Sequence, residues 1–317
     1  MASRRRRGLI WAGCALLWAA GTAHAQDCSK IVGAFNQAVE LGHEHEAQTI
    51  LDSIAVHAEC GRFQIQTQRR LAAFRLSAAQ TLMARGRPYV EYERLLTEAD
   101  RPHVLWQAAA TLGDVRFGER RFAESAAAFD NAIEIVKNET LTPGAPSRFE
   151  INGLFERAAQ ARILAANAGR GRGGSDFVKT ARDQRDGTLG GVYSPVVRGV
   201  TPVIIPVPIT FEFAKTSFTP IGEQAARELV DALKEQRPSR ITLIGHTDVR
   251  GGAETNMKLS QARAETVAEF LRQNGIDASI EAVGKGPNEP MQLSDTSGLS
   301  QEDIYALNRR VEWRRGE

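Results

Sequence analysis

The sequence has 317 residues, of which 42% are hydrophobic and 25% charged, a composition typical of a soluble globular chain rather than a disordered one. This length leaves room for two domains of ordinary size. The 40 basic and 38 acidic residues give a formal net charge of +2, so the chain lacks the strong positive field that draws in nucleic acid or an acidic membrane. We therefore expect no nucleic-acid partner.

The first 25 residues have the pattern of a secretory signal peptide. Residues 4–7 are arginines, residues 8–21 are apolar, and residues 23–25 form an A-x-A cleavage site. The alternative is a retained membrane anchor, but a helix over the apolar stretch rises only about 21 Å against a hydrocarbon core of about 30 Å. We predict export, removal of residues 1–25 and no retained transmembrane helix.

Export leaves the mature chain with two cysteines, Cys28 and Cys60, in an oxidising compartment. Cys28 opens the first helix of a predicted hairpin and Cys60 closes the second, so antiparallel packing brings them together. A disulfide is the expected outcome. The alternatives are a metal site, which has too few ligands, and lipidation of Cys28, which Gln26 and Asp27 disfavour. No metal and no cofactor are expected.

Residues 26–166 are predicted to form an all-α domain of helical hairpins, because apolar residues recur at spacings of three and four. The clearest unit, residues 106–137, places Gly113, Ser125 and Phe129 where two antiparallel helices would touch. The glycine would let the helices approach closely, and the small serine would leave room for the ring. This unit resembles a tetratricopeptide repeat, although that family usually has alanine at the serine position.

Two weaker copies precede this unit. One covers residues 35–54 with Gly42 at its turn, and the other covers residues 67–98 with a break at residues 86–88. An irregular bundle of helical hairpins is the alternative to true repeats. Stacked repeats of this kind resemble binding scaffolds, so we expect a protein partner on the helical region, although no residue identifies it.

Residues 167–200 shift in composition toward glycine, arginine, aspartate and serine. They are predicted to be a flexible linker, because they show no apolar period to bury. The arginines could contact an anionic polymer, but a solvated linker is the favoured interpretation.

From residue 201 to 317 the pattern alternates between strands and helices. An extended run at residues 203–213 precedes Thr219 and Pro220, which form a helix cap with proline at the first helical position. A second helix ends at Gly275. The predicted strands that follow the first helix cover residues 241–244, 278–283 and 310–314. The order strand, helix, strand, helix, strand, strand predicts a two-layer α/β domain.

Three sequence blocks in this domain carry a family resemblance. They read G-H-T-D at residues 245–248, N-x-x-L-S-x-x-R-A at residues 256–264 and N-R-R-V-E at residues 308–312. Together they resemble the C-terminal domain of the OmpA family, which includes the peptidoglycan-associated lipoprotein and the flagellar stator protein MotB. The resemblance implies non-covalent binding of the diaminopimelate side chain in the peptidoglycan stem peptide.

The family's binding site has an aspartate and an arginine fifteen residues apart at its core, and here they fall on Asp248 and Arg263. Asp248 would accept hydrogen bonds from the ligand ammonium, and Arg263 would hold its carboxylate in a bidentate fork. The alternative is that the two side chains simply pair with each other. Thr247 belongs to the candidate set, and Asn256 either orders the loop or contacts the ligand.

Arg309 and Arg310 are adjacent, so on a strand they would point to opposite faces. One of them would then line the site while the other meets solvent, and Arg310 is assigned to the site. The segment at residues 291–307 varies across the family, and its sequence has no physical explanation at this level.

The sequence thus predicts a protein of the periplasm, cell wall or outer membrane of a Gram-negative bacterium. Its C-terminal domain would grip peptidoglycan, and its helical region would hold a protein. The alternative is a cell-wall remodelling enzyme or its regulatory subunit. No enzymatic activity is expected, because the residues offer no nucleophile with a base, no metal cluster and no paired carboxylates in a pocket.

Overall fold

A computed structural model describes residues 15–168, 193–202, 204–293, 296 and 298–315, with side chains from residue 28 onward. The helices are α1 (Ala15–Glu40), α2 (Glu44–Val56), α3 (Gln64–Ala84), α4 (Tyr89–Asp100), α5 (Trp106–Gly118), α6 (Phe122–Lys137), α7 (Arg148–Ala168), α8 (Pro220–Gln236), α9 (Ala253–Gln273) and α10 (Gln301–Asn308). The strands are β1 (Ile204–Val207), β2 (Arg240–His246), β3 (Ser279–Gly286) and β4 (Val311–Arg315). The predicted fold class is confirmed: a helical N-terminal region precedes a mixed α/β sheet domain.

The described residues divide into two compact units, one up to Ser77 and one from Ala78 onward. Among them, no helix combines the length and the apolar composition that crossing a bilayer requires. Residues 1–14 of the predicted signal peptide lie outside the described part of the chain, and α1 continues across the predicted cleavage position. Removal of residues 1–25 therefore stays a prediction.

The first unit is built on the hairpin of α1 and α2. Gly42 lies at its turn with φ +76°, a conformation that favours glycine. Cys28 and Cys60 form a disulfide with their Cα atoms 5.5 Å apart, as predicted, and Cys60 lies in a 3₁₀ helix that follows α2. Both cysteines are buried beside Ile54, so the bridge ties the start of the hairpin core to its end.

The second unit contains the hairpin of α5 and α6, which confirms the predicted close approach. A Cβ atom on Gly113 would lie 2.9 Å from the ring of Phe129, so only glycine fits without displacing that ring. The Ser125 hydroxyl donates to the carbonyl of Gly113 at 2.8 Å, which links the two helices at the point of contact. Assignment to the tetratricopeptide repeats stays a prediction.

The sheet has the order β1-β4-β2-β3. β2 and β3 are parallel, whereas β4 runs antiparallel to β1 and β2. The predicted helix boundaries are confirmed at two points. The Thr219 hydroxyl accepts a hydrogen bond from the backbone N–H of Gly222 at 3.0 Å and caps α8, and Gly275 follows α9 with φ +82°.

Two elements of the domain differ from the predicted order. β1 is shorter than the extended run at residues 203–213, because its pairing ends at Val207, opposite Val311, where the partner strand β4 begins. A helix, α10, lies between the last two strands, where none was predicted. It starts with a capping box, in which Ser300 caps the backbone N–H of Asp303 and the Asp303 carboxylate accepts from the Ser300 N–H.

Helices α6 and α7 share a core with the sheet domain, although the sequence predicted a flexible linker over residues 167–200. Arg162 of α7 is 1% exposed and bonds Asp130 of α6 at 3.1 Å and Glu228 of α8 at 2.7 Å. Tyr193 is fully buried in the same core, so the end of the predicted linker is packed. Residues 169–192 lie outside the described residues, and the domain limits stay predictions.

The carboxylate of Glu312 in β4 is buried next to two other ionisable side chains. Glu312 accepts from Arg310 Nη2 at 2.6 Å and Nε at 2.8 Å, and His246 Nε2 lies 3.5 Å from its other oxygen. Burial raises the pKa of the Glu312 carboxyl, but the nearby His246 ring and the charge and hydrogen bonds of Arg310 outweigh burial and bring the pKa to about 2. The ionised carboxylate therefore stabilises the folded state at neutral pH.

We predict that Glu312→Gln lowers the free energy of unfolding at pH 7 by on the order of 3 kcal/mol. The folded-state pKa lies below the unfolded one, so this stability is present above about pH 4.5 and is lost as the pH falls toward 2. Urea unfolding at a series of pH values should show a shallower acid decline in the variant. Asp277→Asn on the exposed surface is the control, and a wild-type pH dependence in Glu312→Gln would contradict the prediction.

The disulfide gives a second prediction. Replacing both Cys28 and Cys60 by alanine should destabilise the first unit by about 3 kcal/mol, because the unfolded chain regains the entropy that closure of the loop removes. Reductant should lower the unfolding midpoint of the wild-type chain, measured by circular dichroism, and leave the double variant unchanged. Equal sensitivity of both proteins to reductant would show that the bridge is not the cause.

Candidate functional site

The candidate site lies at the end of β2, beside the start of α9, and one glycine in β2 and one in β3 let this helix approach the sheet closely. A Cβ atom on Gly245 would lie 2.1 Å from the carbonyl oxygen of Ser260, and one on Gly284 would lie 2.4 Å from the backbone nitrogen of Gln261. α9 can therefore rest directly on β2 and β3. The loop of residues 247–252 leaves the sheet beside the first turns of α9.

Asn256 of α9 orders this loop. Its side-chain amide donates to the backbone carbonyls of Asp248 at 3.3 Å and Arg250 at 2.9 Å. The sequence left two roles open for Asn256. These bonds show that it orders the loop, and contact with a ligand stays a prediction, since Asn256 also lines the cavity described below. Thr247 is buried beside it, and its hydroxyl has no hydrogen-bond partner among the described residues.

Asp248 is 6% exposed and receives hydrogen bonds from two guanidinium groups. Arg250 Nη2 and Arg309 Nη1 each lie 2.7 Å from its Oδ2 atom, and the backbone N–H of Arg250 donates to Oδ1 at 3.0 Å. Burial raises the pKa of Asp248, but these hydrogen bonds outweigh burial and hold the pKa below its ordinary value. The carboxylate is thus ionised at neutral pH.

Arg263 lies on α9, two turns after Asn256, and is 7% exposed. Its Nε donates to the carbonyl of Lys215 at 3.1 Å, and its guanidinium carbon lies 4.9 Å from the centre of the Phe211 ring. The carbonyl and the ring hold the guanidinium plane in one orientation. A fixed planar fork of this kind is suited to a carboxylate.

Asp248 and Arg263 line one cavity of about 560 Å³ together with Thr247 and Asn256. The charged side chains of this lining are three carboxylates and three guanidinium groups: Glu212, Asp248, Glu302, Arg250, Arg263 and Arg309. The formal charges of the lining therefore cancel. A cavity with separate positive and negative groups and no net charge is complementary to a zwitterion.

Arg310 does not line this cavity, and Arg309 does. The alternation argument failed because Arg309 lies at the C-cap of α10 and is not part of β4. Neither arginine faces solvent fully: the side chain of Arg309 is 16% exposed and that of Arg310 is 4% exposed. Arg310 pairs with Glu312 and borders a separate cavity of about 740 Å³ beside α7 and β1.

Arg250, Glu302 and Glu212 were not among the predicted site residues. Arg250 follows the G-H-T-D block by two positions, so its nearness to the aspartate was a usable signal. Glu302 lies in the segment without a sequence explanation, and no local pattern connects it to the site. Among the described residues, no group of three or more histidine, cysteine, aspartate or glutamate side chains is placed to hold a metal ion.

Comparison with known proteins supports the sequence resemblance. The sequence model of the OmpA family matches residues 210–303. The chain is 37% identical over 134 residues to the protein named probable lipoprotein YiaD of Escherichia coli (strain K12), which is 41% of this chain and 57% of that protein. It is 39% identical over 82 residues to the peptidoglycan-associated lipoprotein of Legionella pneumophila, which is 26% of this chain and 44% of that protein.

A solved structure, the peptidoglycan-associated lipoprotein from Burkholderia pseudomallei, is 31% identical and covers 34% of this chain and 88% of that one, with a TM-score of 0.29. The chain spans about half the length of the curated relatives it matches. The family match shows that this chain carries an OmpA family domain over residues 210–303, which include two of the three sequence blocks, at 245–248 and 256–264.

Proposed function

We propose that the cavity beside Asp248 and Arg263 binds peptidoglycan non-covalently, at the diaminopimelate side chain of the stem peptide. The observation that carries this proposal is the lining of three carboxylates and three guanidinium groups around one cavity. Diaminopimelate ends in an amino-acid group with an ammonium and a carboxylate on one carbon. Such a ligand needs a hydrogen-bond acceptor for its ammonium group and a guanidinium fork for its carboxylate, both in a single cavity.

The chemistry assigns each group a partner. The Asp248 carboxylate accepts from the ammonium, and the Arg263 guanidinium donates to the carboxylate. Each charge-assisted hydrogen bond contributes about 1.5 to 3 kcal/mol. The hydroxyl of Thr247, buried without a partner among the described residues, is a further donor or acceptor for the same ligand.

This function places the protein in the periplasm, associated with the cell wall or the outer membrane of a Gram-negative bacterium. The name of the Legionella pneumophila relative, which refers to association with peptidoglycan, supports the proposal for the part of the chain that the two proteins share. In this account the C-terminal domain anchors the helical region at the wall, where that region holds a protein partner. Cross-linking in cells would identify the partner.

The alternative class is a cell-wall remodelling enzyme or its regulatory subunit. The cavity lining includes the hydroxyls of Thr247 and Thr255 but no histidine, cysteine or serine. His246 is the last residue of β2. Its ring lies 3.5 Å from the Glu312 carboxylate and is not part of the cavity lining. The lining therefore has no imidazole to activate a hydroxyl. It does contain carboxylates, which the sequence did not predict for a pocket, but Asp248 and Glu302 are both bonded by Arg250 and Arg309, so binding without catalysis is the better account.

We predict that Asp248→Ala and Arg263→Ala each weaken sedimentation of the full chain with purified peptidoglycan sacculi by about tenfold or more. Each change removes one charged partner of the ligand. Asp277→Ala and Arg94→Ala, which alter the same residue types on exposed surfaces, should sediment like the wild type.

Two results would contradict the proposal. Wild-type protein that stays in the supernatant has no wall affinity, and site variants that sediment as well as the wild type show that the affinity comes from elsewhere. Soluble wall fragments released by the wild-type protein would instead favour the enzyme.

A further inference from the structure

The segment at residues 291–307 brings a sixth charged group to the cavity. Its helix α10 places Glu302 in the lining. The Glu302 carboxylate bonds Arg309 Nη2 at 2.9 Å and Arg250 Nη1 at 3.1 Å. Tyr305, on the same helix, lies under the guanidinium of Arg250 with 4.4 Å between the guanidinium carbon and the ring centre.

Arg250 and Arg309 are therefore shared between two carboxylates. Each donates to Asp248 Oδ2 at 2.7 Å and also to Glu302. Without the charge of Glu302, the two positive guanidinium groups would face the single negative charge of Asp248. The carboxylate of Asp248 would then be surrounded by excess positive charge, which opposes the approach of an ammonium group.

The remaining acid of the lining does not replace Glu302. Glu212 bonds the ammonium of Lys215 at 2.6 Å and the hydroxyl of Ser217 at 3.4 Å, and it forms no bond with Arg250 or Arg309 among the described contacts. Glu302 is the acid that offsets Arg250 and Arg309 in the part of the site that contains Asp248.

The position of α10 is set by the helical region. Arg120, in the turn between α5 and α6, donates Nη1 to Asp303 Oδ2 at 2.6 Å and Nη2 to Asp303 Oδ1 at 2.9 Å. Leu307 of α10 packs in one apolar cluster with Phe122 and Leu164. All these residues belong to the compact unit that starts at Ala78.

We propose that Glu302 determines the preference of the site for a ligand with an ammonium group, and that Arg120 is a positioning residue which holds Glu302 in place through Asp303. The helical region thereby tunes the affinity of the wall-binding cavity. This inference rests on the proposed function, because it assigns a role within the same site.

The test compares two probes in isothermal titration of the full chain. Free meso-diaminopimelate has both charges, whereas pimelate has the same carbon chain and carboxylates without the ammonium groups. Glu302→Gln should weaken diaminopimelate binding about three- to tenfold and should not weaken pimelate binding by the same factor. Arg120→Ala should act in the same direction, about two- to fivefold, and Arg120→Lys should recover part of the loss.

Arg94→Ala is the matched control, since Arg94 is an exposed arginine that pairs with Glu98 on α4. Wild-type affinity for diaminopimelate in Glu302→Gln, or an equal loss for both probes, would overturn the role of Glu302. Wild-type affinity in Arg120→Ala would overturn the positioning role. A wild-type chain that binds no diaminopimelate would instead remove the proposed function, and this inference with it.

Discussion

The close contact between α9 and the sheet is the constraint on which the site depends. Gly245 and Gly284 leave no space for a Cβ atom, because the backbone of α9 lies in van der Waals contact with both strands. A larger residue at either position would push the helix off the sheet. The contact brings the strand end that carries Asp248 and the helix face that carries Arg263 to one cavity.

The charged groups of that cavity have partners within the protein itself. Asp248 is ionised and shared by two guanidinium groups, whereas Arg263 is held separately by a carbonyl and an aromatic ring. Buried charges are tolerated when each has partners, so the site keeps its geometry before a ligand arrives. In the proposed function, a zwitterionic ligand replaces some of these partners without adding net charge. Pre-organisation of this kind reduces the cost of binding.

Much of the fold could be predicted from local patterns. The disulfide, the cap at Thr219 and the turns at Gly42 and Gly275 each depend on a few neighbouring residues, and all four are confirmed. The start of α10 could also have been predicted, because Ser300 and the acid three residues later form a capping box. No helix was predicted for this segment.

The features that local patterns did not predict have a common physical origin in contacts between distant parts of the chain. The alternation rule applies inside a strand, so it could not decide between Arg309 and Arg310 when one of them ends a helix. The burial of Arg162 depends on acids in α6 and α8, which no local pattern connects. Likewise, Arg120 and Asp303 are 183 residues apart, and only the folded chain brings them together.

The most direct measurement is NMR observation of the arginine side-chain Nε–H signals during titration of the full chain with meso-diaminopimelate. The account predicts that the signals of Arg263 and Arg309 shift with one saturating dependence on ligand, whereas the signal of Arg310, beside the larger cavity, stays in place. Shifts confined to Arg310, or no shift at Arg263 at saturation, would contradict the assignment of the binding site.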